Sequence, residues 1–354
     1  MSNLKIFVTG CLHGEWDLLC DTVEQLIQQG DQIDLIIVTG DAQTMRFEED
    51  LNSFAAPLKY RQLGTFYKLY NGERKIPRPT IVVGGNHEAS DLLHLLPFGG
   101  WLAPNIFYTG RANSLLVGDV PITAISGVYK PDYYFEKVNE IYPIRSQLDL
   151  HKCYHIRAFS DFQILGLDNT QIMVSHDWPA GIPKTYGGAY LQRRKNYLIE
   201  ADKNNTFGLD KGMEILKKLK PSVWFASHHH ITFKAEIDGT SFVAIPKPTR
   251  RDWFVVGDVE NSSEILPFKY RGEWLSILKA TSTEMDDPSI LKNVNWDERW
   301  EKLKSQMEKV DDCPVGPFEL NPYEYTAQFC TEHNIYCPNK EIREYMEKKK
   351  NQKD

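Results

Sequence analysis

Apolar residues along this chain gather in short runs separated by amphipathic stretches. Leu4–Thr9 is such a run and ends at Gly10. Glu15–Gln29 places Leu19, Val23, Leu26 and Ile27 on one helical face, with Gly30 as the stop. Ile33–Thr39 is apolar apart from Asp34, the pattern of a strand covered on both faces, and it ends at Gly40-Asp41. A helical stretch is expected next, then a strand at Thr80–Val83 that runs into Gly84-Gly85-Asn86-His87. Further strands are expected at Asn113–Val117, Val120–Ser126, Gln171–Ser175, Val223–Ser227 and Ser241–Ile245. Strands alternating with helices predict an α/β core, and the later hairpin-like spacing predicts mixed sheets.

Two regions break this pattern. Residues 127–159 are rich in aromatics, namely Tyr129, Tyr133, Tyr134, Phe135, Tyr142, Tyr154 and Phe159. Lys130, Lys137, Arg145, Lys152 and Arg157 are interleaved with them, without a clean period, so the segment reads as an inserted loop. From about Val259 the chain turns Trp- and charge-rich, and Ile290–Val310 carries a helical stripe of Val294, Trp300, Leu303, Met307 and Val310. The expected division is a first domain over 1–258 and a C-terminal domain over 259–354 packing on it, with a frayed tail at Lys348-Lys349-Lys350.

The net charge of −7 over 354 residues excludes a globally basic nucleic-acid binder but leaves room for a local basic groove. Leu95–Gly110, the longest stretch free of charged residues and histidine, holds two prolines and three glycines, so no membrane partner is expected. The first ten residues read as a strand, not as a signal peptide. Six cysteines spread over the chain, with no Cys-x-x-Cys pair, fit a reducing compartment.

Candidate chemistry sits where the apolar runs end. They lead into Gly10-Cys11-Leu12-His13, Gly40-Asp41, Gly85-Asn86-His87-Glu88, Ser175-His176-Asp177 and Ser227-His228-His229-His230. In α/β sheets ligands collect beyond the carboxyl ends of strands, so these donors can converge. Each piece alone is weak: a Gly-Asp after a strand is usually a turn, and a buried cysteine is usually structural. Their joint order is the specific signal.

That order, Cys11-x-His13, Gly40-Asp41, Gly85-Asn86-His87-Glu88, His176 and His228-x-His230, resembles the calcineurin-like metallophosphoesterases. Cys11 stands where most members have Asp, and Ser227 where most have Gly. The cysteine, with Gly-Asp-Ala-Gln and Ser-His-Asp-Trp-Pro, is similar to the RNA lariat debranching branch, which also has an inserted recognition loop and an appended C-terminal domain. The resemblance implies a sandwich of two mixed β-sheets flanked by helices. It implies one metal site from Cys11, His13, Asp41 and His230, and another from Asp41, Asn86, His176 and His228. His87 would protonate the leaving oxygen while a hydroxide activated by the metals attacks phosphorus. Glu88 is a candidate to orient His87.

A thiolate among imidazoles favours Zn or Fe(II), one or two ions per chain, with Mn able to substitute. The implied substrate is the 2′,5′-phosphodiester at the branch of an intron lariat. Tyr129, Tyr133, Tyr134 and Tyr154 are candidates to stack on bases, and Arg145 and Arg157 to meet phosphates. Arg193-Arg194-Lys195 and Arg250-Arg251 are further basic clusters, read as solvated faces or as extensions of a groove. The implied partner is branched RNA, with no obligate protein partner, a monomer, and the nucleus, with the cytoplasm second, as location. Two other readings stay open: a metallophosphoesterase of other specificity, and a metal-free interaction scaffold.

Overall fold

The computed structural model describes residues 2–318 and 321–351. Fourteen strands form two sheets among the described residues. The first sheet contains β1 (Ser2–Thr9), β2 (Leu35–Val38), β3 (Thr80–Val82), β4 (Gly100–Ala103), β5 (Ile106–Tyr108) and, far along the chain, β12 (Phe254–Asn261). The second contains β6 (Ala112–Val117), β7 (Val120–Ile125), β8 (Ile172–Ser175), β9 (Val223–Ala226), β10 (Phe233–Ile237), β11 (Thr240–Ala244), β13 (Lys269–Tyr270) and β14 (Cys313–Pro314). Their orders are β12-β1-β2-β3-β5-β4 and β10-β11-β9-β8-β7-β6-β13-β14. Both sheets are mixed, as expected from the sequence. β1, β2, β3 and β5 run parallel in one, β7, β8, β9 and β11 in the other.

One continuous apolar core joins the two sheets. Phe107 on β5 meets Tyr270 on β13 with ring centroids 6.3 Å apart. The strand Leu35–Val38 is buried at all four positions, which explains its unbroken apolar run. Where the sequence suggests a helical stretch after Asp41, the chain makes 3₁₀ turns at Glu48–Ser53 and Leu58–Tyr60 and only one helical turn at Phe66–Tyr70. Pro57 and Gly64 interrupt that segment, and it has no apolar stripe of helical period to hold a longer helix.

The inserted segment is not a loop alone. It holds short helices at Pro131–Tyr134 and Gln147–Lys152 and leads into a third at Ala158–Ile164. Ile144 and Leu150 pack with Ala55 in a small cluster of their own. β12 runs through the division expected at 258/259, and β13 and β14 extend the second sheet, so residues on both sides share one core. The stripe expected over 290–310 is a helix only at Trp296–Lys304, capped by the Asn295 side chain; Trp300 stacks on Phe162 at 4.6 Å. A helix at Lys340–Asn351 carries the backbone through 348–350, where fraying was expected; residues 352–354 lie outside the described residues.

Asp161, at the foot of the insertion, is fully buried and accepts a hydrogen bond of 2.6 Å from the Tyr134 hydroxyl. Burial pushes its carboxyl up to about 7 from the ordinary 3.8. The native state therefore holds a proton that the unfolded chain releases. The corresponding stability is full below about pH 4 and is lost as pH rises through 7. Asp161→Asn mimics the protonated form. Its thermal midpoint is expected to gain on the wild type between pH 4 and 7 and to level off above, in melts at stepped pH. A constant difference would contradict this assignment.

Candidate metal centre

The carboxyl ends of β1, β2 and β3 and those of β8 and β9 meet along one edge of the sandwich. Cys11 and His13 follow β1, Asp41 follows β2, and Asn86 and His87 follow β3; His176 follows β8, and His228 and His230 follow β9. These turns use backbone that most side chains resist. His13, Asp41, His228 and His230 all lie at positive φ, 50°, 47°, 60° and 51°. The approach is close enough that a Cβ on Gly40 would stand 2.1 Å from His176 Nδ1, and one on Gly85 2.3 Å from Asp41 Oδ1. Glycine is required at both positions.

Asp41 is the centre of the constellation and is buried. Its Oδ2 lies 3.9 Å from His13 Nε2 and its Oδ1 3.4 Å from His176 Nε2. On one side, donor atoms of Cys11, His13, Asp41 and His230 all fall within 4.8 Å of one another. On the other, Asn86 Oδ1 is 3.3 Å from His176 Nε2, and the His176 and His228 rings are 4.9 Å apart. Asp41 thus has a four-donor cluster on its His13 side and His176 with Asn86 on the other, while the close donors around His228 are Asp177 and His229.

The protonation states suit cation binding. Burial pushes the His230 imidazole down to about 4, the His228 imidazole down to about 3, and lowers that of His13. All three are neutral at pH 7. His13 Nε2 and His230 Nε2 face each other at 3.0 Å; only one of two neutral rings can donate there, so at least one lone pair points into the cluster. His176 Nδ1 lies 2.9 Å from the Thr39 carbonyl, which fixes its proton there and turns the Nε2 lone pair toward Asp41 and Asn86. Burial opposes the Asp41 charge, yet His176, His87, His13 and His228 around it hold this carboxyl well below the usual carboxylate range. Burial raises the Cys11 thiol, so this sulfur becomes a thiolate only beside a cation. The donor set of neutral imidazoles, one carboxylate, one amide oxygen and one thiol fits a divalent transition metal.

Residues 4–232 match the calcineurin-like phosphoesterase family. The chain belongs to that family. It is 38% identical over 296 residues to lariat debranching enzyme A of Xenopus laevis, covering 78% of this chain and 54% of that protein. The lariat debranching enzyme of Mus musculus is 34% identical over 339 residues, covering 89% of this chain and 62% of the mouse protein. That of Arabidopsis thaliana is 36% identical over 290 residues, covering 78% and 68%. The chain spans about half the length of the frog protein.

Around this calcineurin-like centre the remaining candidates separate. The His87 backbone N–H donates to Asp41 Oδ1 at 2.8 Å, and its ring lies 6.0 Å from those of His13 and Phe54. Tyr154 is half-buried close enough for the Asp41 charge to reach its hydroxyl, which burial chiefly pushes up to about 12. Tyr133 is half-buried, its ring beside His155 at 5.0 Å and near the ammonium groups of Lys130 and Lys152. Tyr129 is half-buried; its backbone N–H donates to Asp177 Oδ2 at 3.1 Å and its ring meets Tyr134 edge-on. Arg145 is half-exposed and pairs with Asp91 at 2.6 Å.

Two candidates for substrate contact are corrected. Tyr134 is buried with its hydroxyl committed to Asp161, and Arg157 is 6% exposed in an ion pair of 2.6 Å with Glu140. Both hold the insertion together, since a buried charge needs its partner.

Glu88 does not touch His87. It accepts from the backbone N–H groups of Ala42, Gln43 and Gly85 at 3.0, 2.9 and 2.9 Å. It thereby ties the turn that carries Asp41 to the turn that carries Asn86. Burial pushes its carboxyl up to about 8, against the pull of those three donors. Sequence reasoning passed over Gln43, 3.0 Å from His13 Nδ1; Asp177, which bonds the insertion beside the His228–His230 turn; and Lys247, whose charge reaches His13 and His230. Gln43 and Asp177 stand inside quoted motifs but were given no role there. Lys247 follows β11 with no motif to mark it. Ser227, where most members have Gly, donates to the Thr39 carbonyl at 2.8 Å and so bonds the two sheets beside His176.

Glu88→Gln replaces an acceptor with an amide N–H facing a backbone N–H. Metal affinity is expected to fall about 10–100-fold, the usual effect of losing support behind a ligand. Titration calorimetry with Zn and elemental analysis of the purified variant would read it. Unchanged affinity would show that the two turns hold their places without Glu88.

Proposed function

We propose that this chain hydrolyses the 2′,5′-phosphodiester bond at the branch of lariat RNA. The observation that carries this reading is the buried Asp41 carboxylate lying between His13 and His176, with Cys11, His13 and His230 clustered on its one side. The likeness to lariat debranching enzymes, including Cys11 in place of aspartate, supports the substrate class. Cys11, His13, Asp41 and His230 would hold one divalent ion, and Asp41, Asn86, His176 and His228 a second. Bound there, divalent metals supply Lewis acidity at phosphorus and an activated water. Zn or Fe(II) suits the thiol and imidazoles best, and Mn is the expected substitute.

The chain's own groups do the rest. His87 Nδ1 is buried and has no hydrogen-bond partner among the described residues. Its Nε2 would then be the atom that meets substrate. From there a protonated His87 gives its proton to the departing 2′-oxygen as the P–O2′ bond breaks. The branch nucleotide regains its 2′-hydroxyl, and the phosphate stays on the 5′ end of the other strand. The bond from the His87 N–H to Asp41 fixes the ring's backbone relative to the centre. Tyr133, Tyr154 and Tyr129, all half-buried in the insertion, would stack on bases of the unpaired strands. Turnover of excised introns would place the protein in the nucleus.

Matched synthetic RNAs, one with a 2′,5′ branch and one linear, test this reading with Zn, Fe(II) or Mn supplied. The wild type is expected to cleave only the branch. A chelator should abolish cleavage and added metal restore it. His87→Ala should lower the rate about 10²–10⁴-fold, the usual worth of a general acid. Equal cleavage of both RNAs would assign another phosphodiesterase specificity. Cleavage of neither under any metal would overturn the reading.

A further inference from the structure

We propose that the helix Gly188–Lys203 and the turn 247–251 form a second track for single-stranded RNA, on the flank of the metal centre opposite the insertion. This rests on the proposed activity for the identity of the ligand. Its placement comes from the topology. β11, β9, β8 and β7 are parallel neighbours in that order, so their carboxyl ends lie in a row. The insertion follows β7 at one end of the row, and Lys247 follows β11 at the other. His176 and the His228–His230 turn lie between them.

The helix is tied to this far end. The Tyr190 hydroxyl donates to the Thr232 carbonyl at 2.7 Å, two residues from His230. The Thr232 hydroxyl bonds Asp252, which anchors the turn bearing Arg250 and Arg251 to the same point. Helix, histidine turn and basic turn are thus one connected surface.

Its chemistry matches a polynucleotide strand. Arg193, Arg194, Arg250 and Arg251 are exposed, and Lys195 and Lys247 half-exposed. Among the described residues none of the six pairs with a carboxylate within 4.0 Å, in a chain whose net charge is −7. The nearby acids are otherwise occupied: Glu200 pairs with Lys203 and Asp252 takes the Thr232 hydroxyl. Aromatic rings alternate with these cations. Tyr190 lies under the Arg194 guanidinium at 4.4 Å, and Tyr197, 56% exposed, lies beside Lys195 at 5.5 Å. The helix is broken at Lys195, where φ is −149° and ψ 48°, so the two tyrosines do not follow one straight helical face. Exposed rings with unpaired cations between them are what unstacked bases and their phosphates require. A branched RNA sends more than one strand away from the reacting phosphate, so a second basic, aromatic surface beside the centre has a strand to bind. Lys247, which follows β11 beside the strand that leads to the His228–His230 turn, lies between this surface and the centre.

The test uses the full chain and a fluorescein-labelled linear RNA of twelve nucleotides, followed by anisotropy in chelator. It compares Arg193→Glu/Arg194→Glu, Tyr197→Ala, and a charge-matched control far from the track, Lys302→Glu/Lys309→Glu. The arginine variant is expected to bind at least about tenfold more weakly, with the slope of log K against log salt shallower by about 1.4 for two lost phosphate contacts. Tyr197→Ala should weaken binding about fivefold or more, as loss of a stacking platform does. The control should match the wild type. In turnover, the arginine variant should raise KM for branched RNA with long arms and leave hydrolysis of a 2′,5′-linked dinucleotide unchanged. Equal losses in the control, no loss in either track variant, or displacement of the RNA by polyglutamate at equal concentration would overturn the proposal. A wild type that binds the linear RNA through these residues but cleaves no 2′,5′ bond would instead count against the proposed activity.

Discussion

The structure depends on keeping one ionised carboxylate, Asp41, out of water. An isolated charge there would cost several kcal/mol. The chain meets part of that cost with a backbone N–H from His87, and the donor set around Asp41 is arranged for a cation to meet the rest. Every other feature of the site follows from this placement. Gly40 and Gly85 are needed because Asp41 and His176 pack against their backbones, and Glu88 is needed to hold the Asp41 turn to the Asn86 turn. Four candidate donor positions at left-handed φ are the conformational cost of bringing two sheets to one point.

The two sheets divide the labour. The first sheet supplies Cys11, His13, Asp41, Asn86 and His87 from three adjacent parallel strands, and the second supplies His176, His228 and His230. Bonds that cross between them fix their relative height. Ser227 and His176 both reach the Thr39 carbonyl, so the backbone after β2 positions side chains after β8 and β9. A change at Ser227 would therefore act on His176 without touching any ligand directly.

The donor positions were legible because each follows an apolar run and carries a glycine or a second donor beside it. The α/β core with mixed sheets was legible from the same alternation, whereas the two-sheet sandwich came from the family resemblance. Strands β4, β5, β10, β12, β13 and β14 were not read as strands. β4 and β5 lie in a stretch broken by Pro97, Gly99, Gly100 and Pro104, and β12 carries Gly257 and charged residues on an open sheet edge. The insertion looked irregular because its helices run only four and six residues, too short for a period to show. Tyr134 and Arg157 looked available because a list of aromatics and cations does not say which of them face inward. Lys247 could not be read at all, since only the parallel pairing of β11 with β9 brings it to the histidines.

The central claim is that Asp41 is shared between two metal ions. Anomalous scattering at the zinc edge from crystals of the zinc-loaded protein tests it most directly. Two peaks are expected, one on each side of the Asp41 carboxylate and about 3.5–4 Å apart, one beside Cys11, His13 and His230 and the other beside Asn86, His176 and His228. A single peak, or peaks that leave Asp41 uncontacted, would contradict a shared carboxylate at the heart of the site.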